Sequence, residues 1–124
     1  MLFNELGEFA HTQYKQSISP DEKYNWLKLG VEQNHLGAQS LLGRMYYSGE
    51  YVEKDLKKAF NLLTKSAKQN NSGSQYLLGY MYYRGEYVEK DSKKAFDLFT
   101  KSAEQNNSSC QYILGYMYYR GEYV

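Results

Sequence analysis

The side chains whose types could support catalysis or metal binding are two histidines, one cysteine and several carboxylates. His11 and His35 lack the i, i+4 spacing of a helical metal site, and no cysteine or carboxylate cluster stands beside either of them. Cys110 has no paired general base, so a small packed side chain is a better interpretation than a nucleophile. We therefore expect structural or surface roles for all three.

Acidic residues recur in two segments, residues 50–55 and 86–91. A metal site would require these carboxylates to converge on one ion, whereas a solvated loop that ends in a helix N-cap needs no such convergence. The glycine turns read GEYV and lack the Lys-Ser/Thr pair of a phosphate-binding loop. The sequence thus predicts no catalytic residue, no metal site and no cofactor, and we expect that the protein is not an enzyme.

Tyrosine and arginine are the side chains that indicate a function. The chain has 15 tyrosines, and a tyrosine-rich octet occurs three times, as LGRMYYSG at 42–49 and as LGYMYYRG at 78–85 and 114–121. Tyrosine joins a large apolar ring to a hydrogen-bonding tip, and arginine can clamp a carboxylate with two bonds. Both are enriched at the energetic centres of protein interfaces, so this chemistry is typical of recognition of a partner protein.

An internal repeat of 36 residues positions these side chains. Residues 41–76 and 77–112 share 28 identities in 36 positions, and residues 24–40 fit the same frame more loosely. We predict one repeat domain over residues 1–124. It comprises a degenerate N-terminal unit of about 1–35, repeats of about 36–71 and 72–107, and a truncated repeat at 108–124.

Each repeat contains two helical patterns. In the second repeat the apolar spacing predicts helices over 74–84 and 92–104. Gly85 is placed to end the first helix, Asp91 to cap the second, and Ser72 with Gln75 has capping-box spacing, as has the pair at 108 and 111. Such a unit cannot bury its apolar face alone, so the units must stack into an all-α fold, a right-handed α/α superhelical solenoid. We expect Gly79 to lie where two helices pass closely.

The spaced pattern is similar to that of the Sel-one-like repeat family, which is related to the tetratricopeptide repeats. The residues that carry the resemblance in the second repeat are Leu78-Gly79, Tyr82, Gly85, Val88, Asp91, Lys94-Ala95 and Lys101-Ser102-Ala103. Where the family usually has a glycine after the first helix, this chain has Tyr51, Tyr87 and Tyr123, which stiffens the turn or exposes an aromatic ring. The resemblance implies a module for protein–protein interaction whose first helices line a concave, peptide-holding surface.

The helix pitch separates the tyrosines of the octet into two faces. Tyr82 lies with Leu78 on the core side, and Tyr76, Tyr80 and Tyr83 lie on the opposite side. Packing between neighbouring repeats is the alternative explanation for these aromatic residues. On the concave face that the resemblance implies, the residues predicted to bind a partner are Arg44, Tyr47, Tyr76, Tyr80, Tyr83, Arg84, Tyr112, Tyr116, Tyr119 and Arg120. Such a groove suits an extended segment or a helix with some acidic character.

Charge, cysteine content and the N-terminal residues limit the classes of partner and the cellular compartment that we expect. The formal net charge of +1 gives no broad attraction to nucleic acid or to anionic lipid. One cysteine cannot form an intramolecular disulfide, and the N-terminal residues resemble neither a signal peptide nor a membrane anchor. We expect a cytoplasmic protein with a protein or peptide partner and no membrane insertion. Specialised secretion stays open as an alternative.

The sequence stops at GEYV, before the second helix of the third repeat. In that repeat Leu114, Met117 and Tyr118 are expected to lack the cover that their counterparts receive. Either the chain is a fragment of a longer solenoid or another molecule covers this end. The expectation is self-association through this end, or fraying from residue 108 onward.

The leading functional prediction is an adaptor, scaffold or regulator that binds a segment of a partner protein on its concave face. The alternative is a bacterial toxin-neutralising (immunity-type) or host-interaction protein, which would hold a folded partner across a wide interface. A third hypothesis, a hydrolytic enzyme, has no supporting residue constellation.

Overall fold

The computed structural model describes residues 19–122, and these residues form six helices of 13 residues each and no strand. The helices are α1 Pro20–Glu32, α2 Leu36–Ser48, α3 Leu56–Lys68, α4 Ser72–Arg84, α5 Ser92–Glu104 and α6 Ser108–Arg120. The predicted all-α fold of helix–turn–helix repeats is therefore confirmed, since α2, α4 and α6 begin 36 residues apart. The interpretations of His11 and Tyr123 lie outside the described residues.

The chain divides into two compact units, Met1–Lys65 and Ser66–Val124. In the described part of the first unit, Leu27, Ala38 and Leu63 are fully buried. In the second unit the core is a cluster of four fully buried side chains, Ala95, Phe99, Cys110 and Met117. Cys110 is thus the packed residue that the sequence indicated, and burial raises the pKa of its thiol.

The first helix of each repeat begins earlier than predicted because the capping residue was misidentified. Asn71 Oδ1 accepts a hydrogen bond of 2.8 Å from the backbone N–H of Ser74, and Asn107 Oδ1 accepts the equivalent bond from Cys110 at 3.0 Å. The capping box of Ser72 with Gln75, and its counterpart at 108 and 111, is therefore wrong. Asparagine caps at least as well as serine, and the buried Gln75 side chain donates to the Ala67 carbonyl instead.

The other predicted helix ends are confirmed. Gly85 ends α4 in the left-handed region at φ 71°, and its N–H bonds the Met81 carbonyl. Asp91 caps α5 by accepting a bond of 3.0 Å from the Lys94 N–H. In the turns that follow α2 and α4, Tyr51 and Tyr87 also adopt positive φ, at 67° and 63°. Their rings are about half exposed, so tyrosine in place of the family's usual glycine presents aromatic surface at these turns.

Helices α4 and α5 pass closely at Gly79, as the sequence predicted. A Cβ atom built on Gly79 would lie 2.6 Å from Cε1 of Phe99, which no real side chain tolerates without a shift. Phe99 is itself completely buried, so its ring has no free space to move into. The glycine therefore permits the helix contact that seats Phe99 against α4.

The expectation for the third repeat is partly wrong. Met117 is fully buried, because it faces α5 and joins the cluster around Phe99. Leu114 is half-buried against the same cluster. Tyr118 is 61% exposed, and its ring contacts the edge of Phe96. Of the three residues, only Tyr118 is largely exposed.

Candidate functional site

Three tyrosines of α4 form a continuous edge-to-face row in the second unit. The ring centroids of Tyr76 and Tyr80 are 5.3 Å apart, and those of Tyr80 and Tyr83 are 6.4 Å apart. Tyr80 and Tyr83 also meet the ring of Phe99 at 5.9 and 6.1 Å. Because Phe99 lies in the core, one edge of this row is fixed by packing, and the three rings are partly buried.

Helix α6 supplies the other side of a groove. A cavity of about 180 Å³ is lined by Tyr80, Tyr83, Tyr112, Ile113 and Tyr116. A second cavity of about 340 Å³ adjoins it and is lined by Tyr76, Tyr80, Tyr112, Ile113 and two serines at the start of α6. We call this feature the tyrosine groove. Its lining residues are Tyr76, Tyr80, Tyr83, Tyr112, Ile113 and Tyr116.

Two arginines stack on tyrosines that line the groove. The Arg84 guanidinium lies 5.4 Å from the ring centroid of Tyr80, and that of Arg120 lies 5.6 Å from the ring centroid of Tyr116. Arg120 Nη1 also donates a hydrogen bond of 2.9 Å to the Tyr116 hydroxyl. Each arginine stands four residues after its tyrosine, so one helical turn brings the pair together.

A carboxylate bridges the two sides of the groove. Glu122 Oε2 accepts a hydrogen bond of 2.6 Å from the Tyr83 hydroxyl, and Glu122 Oε1 lies 3.2 Å from Arg120 Nε. The bond to Glu122, followed by burial, raises the pKa of Tyr83 from its ordinary value of 10.0 to about 12. Burial also raises the pKa of Tyr76. The hydroxyls of Tyr76 and Tyr83 are therefore held in their neutral form.

The raised pKa of Tyr83 predicts a loss of stability at alkaline pH. Between about pH 10 and pH 12 the folded state keeps a proton that the unfolded state releases, so the contribution is complete below pH 10 and disappears as pH rises through 12. Urea unfolding at about pH 9 and about pH 11 should show a smaller alkaline decrease for Tyr83→Phe than for the wild type. Tyr119→Phe, which removes a hydroxyl from a side chain 88% exposed, should keep the wild-type decrease.

The structure distributes the ten predicted partner-binding residues over three locations. Five tyrosines, at positions 76, 80, 83, 112 and 116, line the tyrosine groove, and Arg84 and Arg120 stack on two of them. Tyr119 is 88% exposed and lines neither cavity. Arg44 and Tyr47 lie on α2 in the first unit.

Two residues of this site were not predicted from the sequence. Ile113 lines both cavities between the tyrosines of α6. Glu122 lies in the last GEYV turn, and its position two residues after Arg120 and directly after the helix-ending Gly121 is a usable signal. A carboxylate that leaves a helix end next to a basic residue can fold back onto it.

The first unit has a separate cavity that the sequence did not indicate. It has a volume of about 380 Å³ and is lined in part by Tyr24, Tyr46 and Lys58. The hydroxyls of Tyr24 and Tyr46 are 3.1 Å apart, and burial, followed by this bond, raises the pKa of Tyr46. The ammonium of Lys58 lies 5.2 Å from the centroid of the Tyr46 ring.

Between residues 19 and 122 no group of three or more histidine, cysteine or acidic side chains is placed to hold a metal ion. His35, which the sequence analysis weighed as a metal ligand, caps α2 by accepting a hydrogen bond from the Ala38 N–H. Within the same range, every helix is too short or too polar to cross a membrane.

Comparison with known proteins identifies repeats of the same kind. The Sel1 repeat model matches residues 36–71, 72–107 and 108–124. A Sel1 repeat protein from Oxalobacter formigenes superposes with a TM-score of 0.84 at 27% identity, over 97% of this chain and 50% of that one. The protein c5321, a protective antigen of uropathogenic Escherichia coli strains, gives 0.82 at 26% identity, over 98% of this chain and 29% of its own.

A third similar structure is cysteine-rich protein B of Helicobacter pylori, with a TM-score of 0.71 at 25% identity, over 92% of this chain and 98% of that one. No curated protein matches the chain significantly in sequence. The chain spans half the length of the Oxalobacter protein and less than a third of c5321.

Proposed function

The chain belongs to the Sel1 repeat family, and we propose that it is an adaptor or regulatory module that binds a segment of a partner protein in the tyrosine groove. Repeats of this family generally mediate protein interactions and generally form non-catalytic scaffolds. From this general property of the family we infer that the protein is not an enzyme.

The observation that carries the proposal is the groove between α4 and α6. Its residues combine apolar rings, hydroxyl groups and stacked guanidinium groups, which is the composition of energetically important interface residues. The α4 side is held in place by Phe99, so less side-chain freedom is lost when a ligand binds there. On α6, Tyr112 is 75% and Tyr116 is 42% exposed, which leaves ring surface available to a partner.

The alternative is recognition of a folded partner, as a toxin-neutralising or host-interaction protein would require. Two further tyrosines of α6, Tyr118 at 61% and Tyr119 at 88% exposure, extend aromatic surface away from the groove and favour this alternative. A folded partner would use a wider interface that includes these rings.

A pair of double variants tests the proposal. Tyr112→Ala/Tyr116→Ala removes two rings from the groove, and Tyr87→Ala/Tyr119→Ala removes two exposed rings that line neither groove cavity. Proteins from the source organism that are retained by the immobilised wild-type chain would be identified by mass spectrometry. For the recovered partner we expect the groove variant to bind at least roughly tenfold more weakly and the control variant to bind as the wild type does.

Circular dichroism would show that both double variants keep the helical fold. Wild-type affinity in the groove variant would exclude segment binding in the groove. A loss of affinity in both variants would favour the wide interface with a folded partner.

A further inference from the structure

We propose that Tyr83 and Arg120 form a receptor for an aspartate or glutamate side chain of the partner segment, and that Glu122 occupies this receptor in the free chain. This inference rests on the proposed function, and it specifies the chemistry of the partner and a contact that opposes its binding.

The receptor is defined by the carboxylate that it already holds. Both oxygens of Glu122 are engaged, one by the Tyr83 hydroxyl at 2.6 Å and one by Arg120 Nε at 3.2 Å. These two donors come from different helices, α4 and α6, and both residues belong to the edge of the tyrosine groove. An acidic side chain of a bound segment would find the same two donors at the same place.

The other groups around the receptor prepare it for a negative charge. Arg120 is held over the ring of Tyr116 and donates Nη1 to its hydroxyl, which fixes the direction of Nε. Arg120 forms an ion pair with Glu122.

Glu122 is held in a way that allows exchange. Its backbone N–H bonds the Met117 carbonyl at 2.9 Å, directly after Gly121 in the left-handed region, so the main chain is anchored independently of the side chain. The Arg120 side chain is 56% exposed, and exposed ion pairs contribute little stability. Displacement of the carboxylate therefore leaves the helix end intact.

The preceding repeat supplies a second arginine with the same stacking. Arg84 lies over Tyr80 as Arg120 lies over Tyr116. Two stacked guanidinium groups and one resident carboxylate favour an acidic ligand. We assign the occupant as a partner segment with a carboxylate for the receptor and an adjacent large apolar side chain for the 180 Å³ cavity.

When Glu122 occupies the receptor, the apparent affinity for a ligand falls in proportion to the fraction of molecules in which the receptor is free. The contact consists of one hydrogen bond to a charged acceptor and one exposed ion pair, so removing the charge of Glu122 should strengthen binding of an acidic ligand by about tenfold. The same change should give a neutral ligand little advantage.

The test uses two labelled, terminally blocked pentapeptides, Ala-Leu-Glu-Leu-Ala and its glutamine analogue, with fluorescence anisotropy as the measurement. Glu122→Gln is expected to bind the glutamate peptide about tenfold more tightly than the wild type does, and to bind the glutamine peptide equally. Glu122→Gln/Arg120→Gln should lose the preference for glutamate. Glu89→Gln, which removes one charge from an exposed turn residue, should behave as the wild type.

A second readout checks the contact itself. Tyrosinate absorbance should show that the pKa of Tyr83, identified by comparison with Tyr83→Phe, falls from about 12 towards its ordinary value in Glu122→Gln. An unchanged Tyr83 pKa, equal affinity of both proteins for the glutamate peptide, or an equal gain for both peptides would overturn the receptor. Binding of neither peptide would also overturn it, whereas the proposed function is decided separately by the groove double variant.

Discussion

Replacement of Phe99 by alanine is expected to lower the free energy of unfolding by about 3–5 kcal/mol, the usual cost of a large aromatic-to-alanine change in a core. Phe99 is completely buried with Ala95, Cys110 and Met117, and its ring is the common neighbour of Tyr80 and Tyr83. The variant loses the core contact and the support of the groove together. Urea unfolding followed by circular dichroism would measure the change.

Phe96→Ala is the matched control, since it makes the same chemical change on the same helix. Phe96 is half-buried, so we expect at most about half of the cost of Phe99→Ala. Phe99→Leu should retain the fold while losing both edge-to-face contacts, because Leu63 stands at the equivalent position of the preceding repeat and is fully buried there. Equal destabilisation by the alanine changes at 96 and 99 would contradict the assigned core.

The helices could be predicted from the sequence because their signals are local and repeated. The period of 36 residues, the apolar stripe over 92–104 and the Gly85 stop each depend on neighbours within a few residues. The N-caps were misplaced by one residue because asparagine and serine stand side by side at 71–72 and 107–108 and both can cap.

The groove could be predicted only in part. Helix pitch brought Tyr76, Tyr80 and Tyr83 to one face, and the structure agrees in having them form one row. The expectation that this face lies opposite the core is wrong, since all three rings are partly buried against the cluster around Phe99. Pitch could not reveal that Phe99 supports that row, or that Glu122 reaches Tyr83 across 39 positions of sequence. Such contacts depend on how helices pack and not on any local pattern. The burial of Met117 was missed for the same reason.

The second prediction compares two glycines that occupy the same position in successive octets. Gly79→Ala is expected to destabilise the protein by about 1–2 kcal/mol, because its Cβ would lie 2.6 and 2.8 Å from two atoms of the buried Phe99 ring. Gly115→Ala is expected to stabilise it by up to about 1 kcal/mol, since among the described residues no atom lies within 4 Å of the new Cβ and alanine favours a helix over glycine. Urea unfolding of both variants measures the difference.

A change of opposite sign is the essential result, because the residues from 78 to 85 and from 114 to 121 are identical and no sequence-based propensity distinguishes them. Gly43→Ala should fall between the two, since its Cβ would approach the flexible end of Leu63 at 3.0 Å instead of a ring. Equal destabilisation at positions 79 and 115 would mean that the outer face of α6 is covered in solution. Equal stabilisation would mean that Phe99 does not pack against α4, and the support of the tyrosine groove would then be lost.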